Sequence, residues 1–178
     1  MNAKYKKSLK IVTLLITAAF IATASAATYN YMYQNATIGV ESLDLTWTTT
    51  GAADATAAGT TIAGSTCTLA SLEGPAGGTK TYSDPVRLEA AATTTFDLNI
   101  ASITGDTGDM TSIVVKLYDV SGSTLEGTLT VWDGAQGSDL SGLTIDLGET
   151  WRFQWEISWA SGASGSVSVE LEVEIPVP

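Results

Sequence analysis

The sequence predicts an all-β fold, a single β-sandwich or jelly-roll domain preceded by a projecting N-terminal strand. The first observation is that short runs of residues alternate between apolar and polar side chains, as strands with one buried face require. The second is that clusters of Gly, Ser, Thr, Asp and Ala separate these runs at the short spacing of turns. The third is that no segment after residue 26 has convincing helical periodicity. We therefore divide the chain into a leader (1–26), an N-terminal strand (27–40) and a sandwich domain (41–178).

The leader has the three parts of a secretory signal peptide. Lysines precede the apolar run Ile11–Ala22, and Ala24-Ser25-Ala26 is typical of a cleavage site, so we expect cleavage between Ala26 and Ala27. Ala22-Thr23-Ala24 is a competing site. The alternative is a retained membrane anchor, but the apolar run is shorter than the roughly 20 residues that a spanning helix needs. The mature protein is expected to be extracellular or to lie at the cell surface.

Charge and composition exclude several classes of function. The chain has 8 basic and 19 acidic residues, and the leader takes four of the basic residues and none of the acidic ones, which leaves a net charge of 4 − 19 = −15. Such a surface repels nucleic acid and anionic lipid. The chain has no histidine, the usual general base and commonest metal ligand, and its single cysteine, Cys67, cannot form an intrachain disulfide. We expect no cofactor, no metal site and no catalytic activity.

Each predicted strand places every second residue on one apolar face. In chain order these faces are Leu43, Leu45 and Trp47; Phe96, Leu98 and Ile100; Ile113, Val115 and Leu117; Leu129 and Val131; Leu143, Ile145 and Leu147; Trp151, Phe153, Trp155, Ile157 and Trp159; Val167, Val169, Leu171, Val173 and Ile175. About eight such strands indicate two sheets that cover one core. Between them, Ala52–Ala58 is a candidate short helix, while Gly51–Gly64 and Gly74–Thr79 are predicted to be loops.

The segment 27–40 is uncharged, although the rest of the exported chain is strongly acidic. Its alternation places three tyrosines on one face of a strand, and Ala36, Ile38 and Val40 continue an apolar face. Such a start is unusual for a soluble monomer, whose terminus is normally polar and frayed. Two interpretations remain open: the segment is the first strand of its own sandwich, or it adds to a sheet of the next subunit by donor-strand complementation. In the second case the inserted residues are Thr28, Tyr29, Asn30, Tyr31, Met32, Tyr33, Ala36, Ile38 and Val40.

Three features at the two ends of the chain occur together in a known family. They are a leader that ends in SAA, the uncharged aromatic strand TYNYMYQNATIG followed by LDLTW, and the late hairpin of TWRFQWEISW and SVSVELEVEI. In these features the chain resembles the TasA/camelysin-type matrix-fibre proteins, and its loops rich in Thr, Ala, Gly and Ser make it more similar to the archaeal bundling pilins. Gln34 and Asn35 stand where bacterial members often have an Asp, and Thr48–Thr111 has no counterpart.

The resemblance implies a jelly-roll subunit whose N-terminal strand inserts into a neighbour, giving pili that bundle and support biofilm and cell adhesion. If residues 27–40 do add to the next subunit, a filament is expected from the residues as well, because a head-to-tail contact that does not close on itself propagates as a filament. The expected partners are further copies of the chain and neighbouring filaments, with no nucleic acid and no membrane. The alternatives are a secreted carbohydrate-binding or adhesive sandwich, which needs exposed aromatic side chains, and a component of a cell-envelope layer.

The N-terminal strand also contains a sequon for N-linked glycosylation, Asn35-Ala36-Thr37. A sugar on Asn35 would stand on the strand that donor-strand complementation buries. We therefore expect either that the sequon lies at the outer end of the strand or that it is unused.

Two further sets of acidic residues are candidate sites. The loop Gly105–Asp109 resembles a loose cation loop, but it lacks the full EF-hand spacing and a solvated turn is the expected structure. The same expectation applies to turns at Asp133, Asp139 and Asp146. Glu149 and Glu156 lie beside aromatic residues, as the paired carboxylates of a glycosidase would, but those tryptophans occupy an alternating face where core packing is expected.

Overall fold

The computed structural model describes residues 31–40 and 44–176, which form twelve strands and one short turn of 3-10 helix at Thr107–Asp109. The strands are β1 Tyr31–Val40, β2 Leu45–Thr48, β3 Thr60–Ala63, β4 Thr66–Pro75, β5 Thr79–Tyr82, β6 Arg87–Ala90, β7 Thr94–Gly105, β8 Met110–Asp119, β9 Leu125–Trp132, β10 Leu140–Ile145, β11 Thr150–Trp159 and β12 Val167–Glu174. The prediction of an all-β chain is confirmed. The predicted leader, its cleavage site at Ala26 and Ala27, and Thr28, Tyr29 and Asn30 lie outside the described residues.

The strands form two six-stranded sheets. The first sheet has the order β10-β7-β12-β1-β4-β3, and the second has the order β2-β6-β11-β8-β9, with β5 paired to β11 beside β6. The buried side chains of both sheets form one cluster, in which the rings of Phe96 and Trp151 lie 5.8 Å apart between the sheets. The two sheets therefore share one hydrophobic core.

The long alternating runs near the C-terminus form the strands that the sequence predicts. The inward residues of β11 are all buried, as are the inward residues of β12 from Val167 to Val173, while Ile175 packs against the core just after that strand. One predicted inward residue is wrong: Leu147 is 68% exposed, because β10 ends at Ile145 and the chain turns before β11. The turn requires Gly148, whose φ is +81°.

Two predictions for the region between β2 and β4 are also wrong. The predicted loop Gly51–Gly64 contains β3, a short edge strand whose side chains are mostly exposed and therefore carry no alternating signal. A two-residue hairpin joins β3 to β4, and Gly64, at its first position, has a φ of +61°, as a type II′ turn needs. The candidate helix Ala52–Ala58 forms turns instead, and within it the Asp54 carboxylate accepts hydrogen bonds from the amides of Ser83 and Asp84 at 2.6 and 3.0 Å.

The predicted loop Gly74–Thr79 is shorter than expected, since β4 continues to Pro75 and β5 begins at Thr79. Gly74 lies on the inward side of β4 against the ring of Trp159, and any larger side chain there would collide with that ring. Within residues 31–40 and 44–176, no helix is long and apolar enough to cross a membrane.

Candidate functional site

The first strand lies in the middle of a sheet rather than at its edge. β1 runs parallel to β12, with Ala36 opposite Val169, and antiparallel to β4, with Ile38 opposite Cys67. It therefore fills a space that is bounded on one side by the last strand of the chain and on the other by β4. We call this space the β1 slot. In this structure the strand does not project from its own domain.

The inward face of β1 completes the core from within the slot. Ala36 and Ile38 are fully buried, as the apolar face predicted for this segment requires. Tyr31, Met32, Tyr33 and Val40 belong to the strand by their backbone, but their side chains lie outside the described part of the structure. Insertion of β1 thus rests on backbone pairing along ten residues and on the burial of the described inward side chains.

Gln34 is the unusual inward residue of β1. Its side chain is 1% exposed, and neither atom of its amide has a hydrogen-bond partner among the described residues. The pairing with β4 is irregular at this point, because Gln34 lies opposite Leu72 and Ala36 opposite Leu69, which leaves one extra residue on β4. A buried polar group without a partner costs about 1–3 kcal/mol, so Gln34 weakens the insertion of β1.

Both walls of the slot have supports that do not depend on β1. β12 pairs along its length with β7 on its far side. β4 pairs with β3, and beyond the end of β3 its backbone is bound by the Tyr82 hydroxyl, which accepts a hydrogen bond from the Glu73 amide at 2.7 Å. The same hydroxyl lies 3.1 Å from the Ser71 carbonyl oxygen, to which it donates. Removal of β1 would therefore leave two supported strand edges facing each other across an open slot.

The connection from β1 to the rest of the domain is short. β1 ends at Val40 in the first sheet and β2 begins at Leu45 in the second sheet, so residues 41–44 join the two sheets. β1 is the first strand of the described chain, so within residues 31–40 and 44–176 it has this one connection to the other strands. We call residues 41–44 the hinge.

Cys67 lies in the wall of the slot and is fully buried. Burial raises the pKa of its thiol from 9.0 to about 12, so the thiolate is scarce at neutral pH. Cys67 lies opposite Ile38 on one side and Ile62 of β3 on the other. As the single cysteine of the chain, it is a natural reporter of whether the slot is filled.

The outer face of the first sheet is polar and acidic. Asn35 is exposed and Thr37 is half-buried on this face of β1. On β12, Ser168 lies opposite Asn35 and Glu170 opposite Thr37, and Glu172 and Glu174 follow along the same strand. The described strands of the first sheet contain no Lys or Arg. The four basic residues of the described chain all lie on strands of the second sheet: Lys80, Arg87, Lys116 and Arg152.

The predicted cation loop is held by protein groups. The Asp109 carboxylate accepts hydrogen bonds from the amides of Ser164 and Gly165 at 3.0 and 2.6 Å, and these bonds lower its pKa. Asp139 binds the amide of Ile100 at 2.7 Å in a separate part of the first sheet. The described residues contain no group of three or more His, Cys, Asp or Glu side chains placed to hold a metal ion.

The two glutamates considered for glycoside chemistry have separate structural partners. Glu149 lies in the turn before β11 and accepts a hydrogen bond from the amide of Asp146 at 3.0 Å. Glu156, on the outer face of the second sheet, forms an ion pair with Lys116 at 2.8 Å. The neighbouring rings of Trp151, Trp155 and Trp159 are buried, so they cannot stack on a sugar at the surface.

No protein-family model matches the sequence, and a search of the curated proteins finds no match.

Proposed function

We propose that this chain is the structural subunit of an extracellular filament, a pilus or biofilm-matrix fibre, in which β1 of each subunit fills the β1 slot of the next. The observation that carries the proposal is that the first strand of the described chain, which the expected cleavage of the leader would leave near the N-terminus, occupies the centre of a sheet. Such a strand can be removed and replaced by an identical strand without changing any other connection in the domain. This is the geometry on which donor-strand complementation and domain swapping depend.

The free-energy difference between the two arrangements is small. A β1 strand from a sister subunit makes the same contacts with β12 and β4 as the chain's own strand, so the contact energies cancel. Two terms remain. Strain in the hinge favours exchange, and the effective concentration of the chain's own strand, on the order of millimolar for a short flexible linker, opposes it. Hinge strain must therefore favour exchange for filaments to form at lower protein concentration.

The hinge supports exchange because it is short. Residues 41–44 must carry the chain from the first sheet to the second when β1 fills its own slot. Short connections under strain promote swapping, whereas longer ones allow a strand to return to its own domain. In the extended arrangement the same residues only have to join two neighbouring subunits.

The direction of exchange determines the form of the assembly. Each subunit gives its first strand to one neighbour and receives a strand from another, so the two surfaces in contact are different. Heterologous contacts of this kind produce open filaments unless the rotation between subunits closes a ring. The repeated change of sheet between consecutive strands also supports the jelly-roll fold of the TasA/camelysin-type fibres as part of the proposal.

Bundling of such filaments requires a bridge between acidic surfaces. With a net charge of −15 for each mature subunit, and no basic residue on the described strands of the first sheet, the bare outer faces of that sheet repel each other. Cations or surface sugars would have to mediate the contact.

The test uses the mature chain, residues 27–178, produced without glycosylation and studied by light scattering and negative-stain microscopy. We expect threads from the wild-type chain. Ile38→Asp places a carboxylate in the slot and should give only unassembled protein, whereas the matched control Asn35→Asp places one on the outer face and should still form threads. Deletion of residues 27–40 should also abolish assembly.

A variant with a longer hinge keeps every residue of the domain and separates exchange from misfolding. Insertion of a flexible Gly-Ser segment between residues 41 and 44 should shift the protein toward a folded monomer that fills its own slot. A wild-type chain that stays monomeric at high concentration would refute the filament. Threads that persist in both the Ile38→Asp and the deletion variants would refute the role of β1. A flat lattice instead of threads would favour an envelope layer.

A further inference from the structure

The sequon Asn35-Ala36-Thr37 lies at a position that the filament proposal does not use. β1 is a central strand, and its inward neighbours Gln34 and Ala36 are buried, yet Asn35 itself is exposed on the outer face of the first sheet. Thr37, two residues further along the strand, lies on the same face. The residues that define the sequon therefore share the one side of β1 that does not enter the core.

A cleft adjoins Asn35 on this outer face. It has a volume of about 310 Å³ and is lined by Asn35, Thr104, Gly105, Ser166, Val167 and Ser168. This volume is near the lower end of the range for small-molecule sites, about 300–1,000 Å³. Its lining bears three hydroxyl groups and no charged side chain, a surface that suits the hydroxyl-rich ring of a sugar.

We propose that Asn35 carries an N-linked glycan whose first sugar lies over this cleft. The donor is a lipid-linked oligosaccharide in which a phosphate or pyrophosphate is bonded to the anomeric carbon of the first sugar. The side-chain nitrogen of Asn35 forms a bond to that carbon and loses one proton to a base of the transferase. The bond between the anomeric carbon and the phosphate oxygen breaks, and the lipid phosphate leaves with the electron pair.

The glycan and the inserted strand do not compete for space. From the sequence alone, a sugar on Asn35 conflicts with burial of the strand, so the sequon is expected to lie at the outer end of the strand or to be unused. The structure removes the conflict because a central strand is buried through its backbone edges and its inward face, while its outer face remains open to solvent. The outer face of β1 stays outside the core whether the β1 strand in the slot belongs to the chain itself or to a sister subunit.

The modification is tested on protein recovered from the cells that make it. Residues 27–40 contain no Asp or Glu, so a glutamate-specific protease releases the mature N-terminus as a peptide that ends at Glu41. Mass spectrometry should find this peptide heavier by the mass of a glycan, with fragment ions that locate the added mass on Asn35. The peptide at its unmodified mass throughout would overturn the proposal.

Variants expressed in the same cells identify the acceptor. Asn35→Gln and Thr37→Val should abolish the added mass, while Thr37→Ser retains the sequon and should preserve it. Asn99→Gln is the matched control, because Asn99 lies on the same sheet outside any sequon and donates a hydrogen bond to Glu174 at 2.9 Å. Added mass that remains in Asn35→Gln would also overturn the proposal. Since filament formation is assayed on glycan-free protein, failure of one proposal leaves the other standing.

Discussion

Truncation of Ile38 to alanine should release β1 from its slot and make the thiol of Cys67 reactive. Ile38 is fully buried and lies opposite Leu171 on one side and Cys67 on the other. Replacing a buried isoleucine by alanine costs about 2–5 kcal/mol, and all of this cost falls on the state in which β1 is inserted. Because about 1.4 kcal/mol corresponds to a factor of ten, the open population should rise about 30- to 5,000-fold.

The assay is the rate at which Cys67 reacts with a thiol reagent under native conditions, at a reagent concentration low enough that β1 recloses faster than the open state is labelled. The wild-type rate should be slow, since the thiol is fully buried and its pKa is raised to about 12. The labelling rate of Ile38→Ala should rise by the same factor as the open population.

The matched control is Ile113→Ala, which removes the same atoms from a fully buried isoleucine of β8 in the second sheet. It should lower the free energy of unfolding without exposing Cys67 by local opening. Equal acceleration in both variants would show that Cys67 becomes accessible only when the whole domain unfolds. That result would refute the reasoning that β1 is a separately removable strand.

Three further outcomes are expected. In the folded state the Cys67 thiol has a pKa of about 12, whereas the exposed thiol of the unfolded chain has a pKa of 9.0. The contribution of this thiol to the free energy of unfolding is therefore complete below pH 9 and is lost as the pH rises toward 12. Urea denaturation at about pH 8 and about pH 10 should show this loss, about 1.4 kcal/mol per pH unit above pH 9, and Cys67→Ala should abolish it. Gly74→Ala forces a methyl group into the ring of Trp159 and should lower the free energy of unfolding by about 1–3 kcal/mol, as measured by thermal unfolding. The control Gly39→Ala has open space around it and should be nearly neutral, so equal effects would contradict the close contact between Gly74 and Trp159. Gln34→Leu should raise the free energy of unfolding by about 1–3 kcal/mol in urea, and a decrease would mean that the buried amide is satisfied.

Strands that cover the core along their whole length could be predicted from the sequence. In β11 each inward side chain meets the core, so burial imposes a strict period of two on the sequence. β3 and β5 are four-residue strands with mostly exposed side chains, so burial imposes no such period and they were missed. The strands β4 and β6 were missed as well, because β6 has only four residues and the irregular pairing of β4 with β1 breaks the period of two between Leu69 and Leu72. The Gly64-Ser65 pair between β3 and β4 was the available signal, because it matches a two-residue hairpin turn.

The candidate site was predictable only in part. The apolar face at Ala36 and Ile38 indicated a strand with a buried side, and both residues are buried. The neighbours of β1 could not be predicted, because β12 lies more than 120 residues away along the chain and alternation does not encode which strands pair. The outward position of Asn35 follows from the period of two, but its compatibility with insertion depends on the central place of β1 in the sheet.

The parallel arrangement of the first and last strands has a mechanical consequence. When the two ends of this chain are pulled apart along the strand direction, β1 and β12 slide past each other in shear. The hydrogen bonds between them then carry the load together, whereas a hairpin pulled open at its ends breaks one bond at a time. A fibre in which each subunit is joined to the next through this pairing would place a contact that is loaded in shear directly in the line of tension.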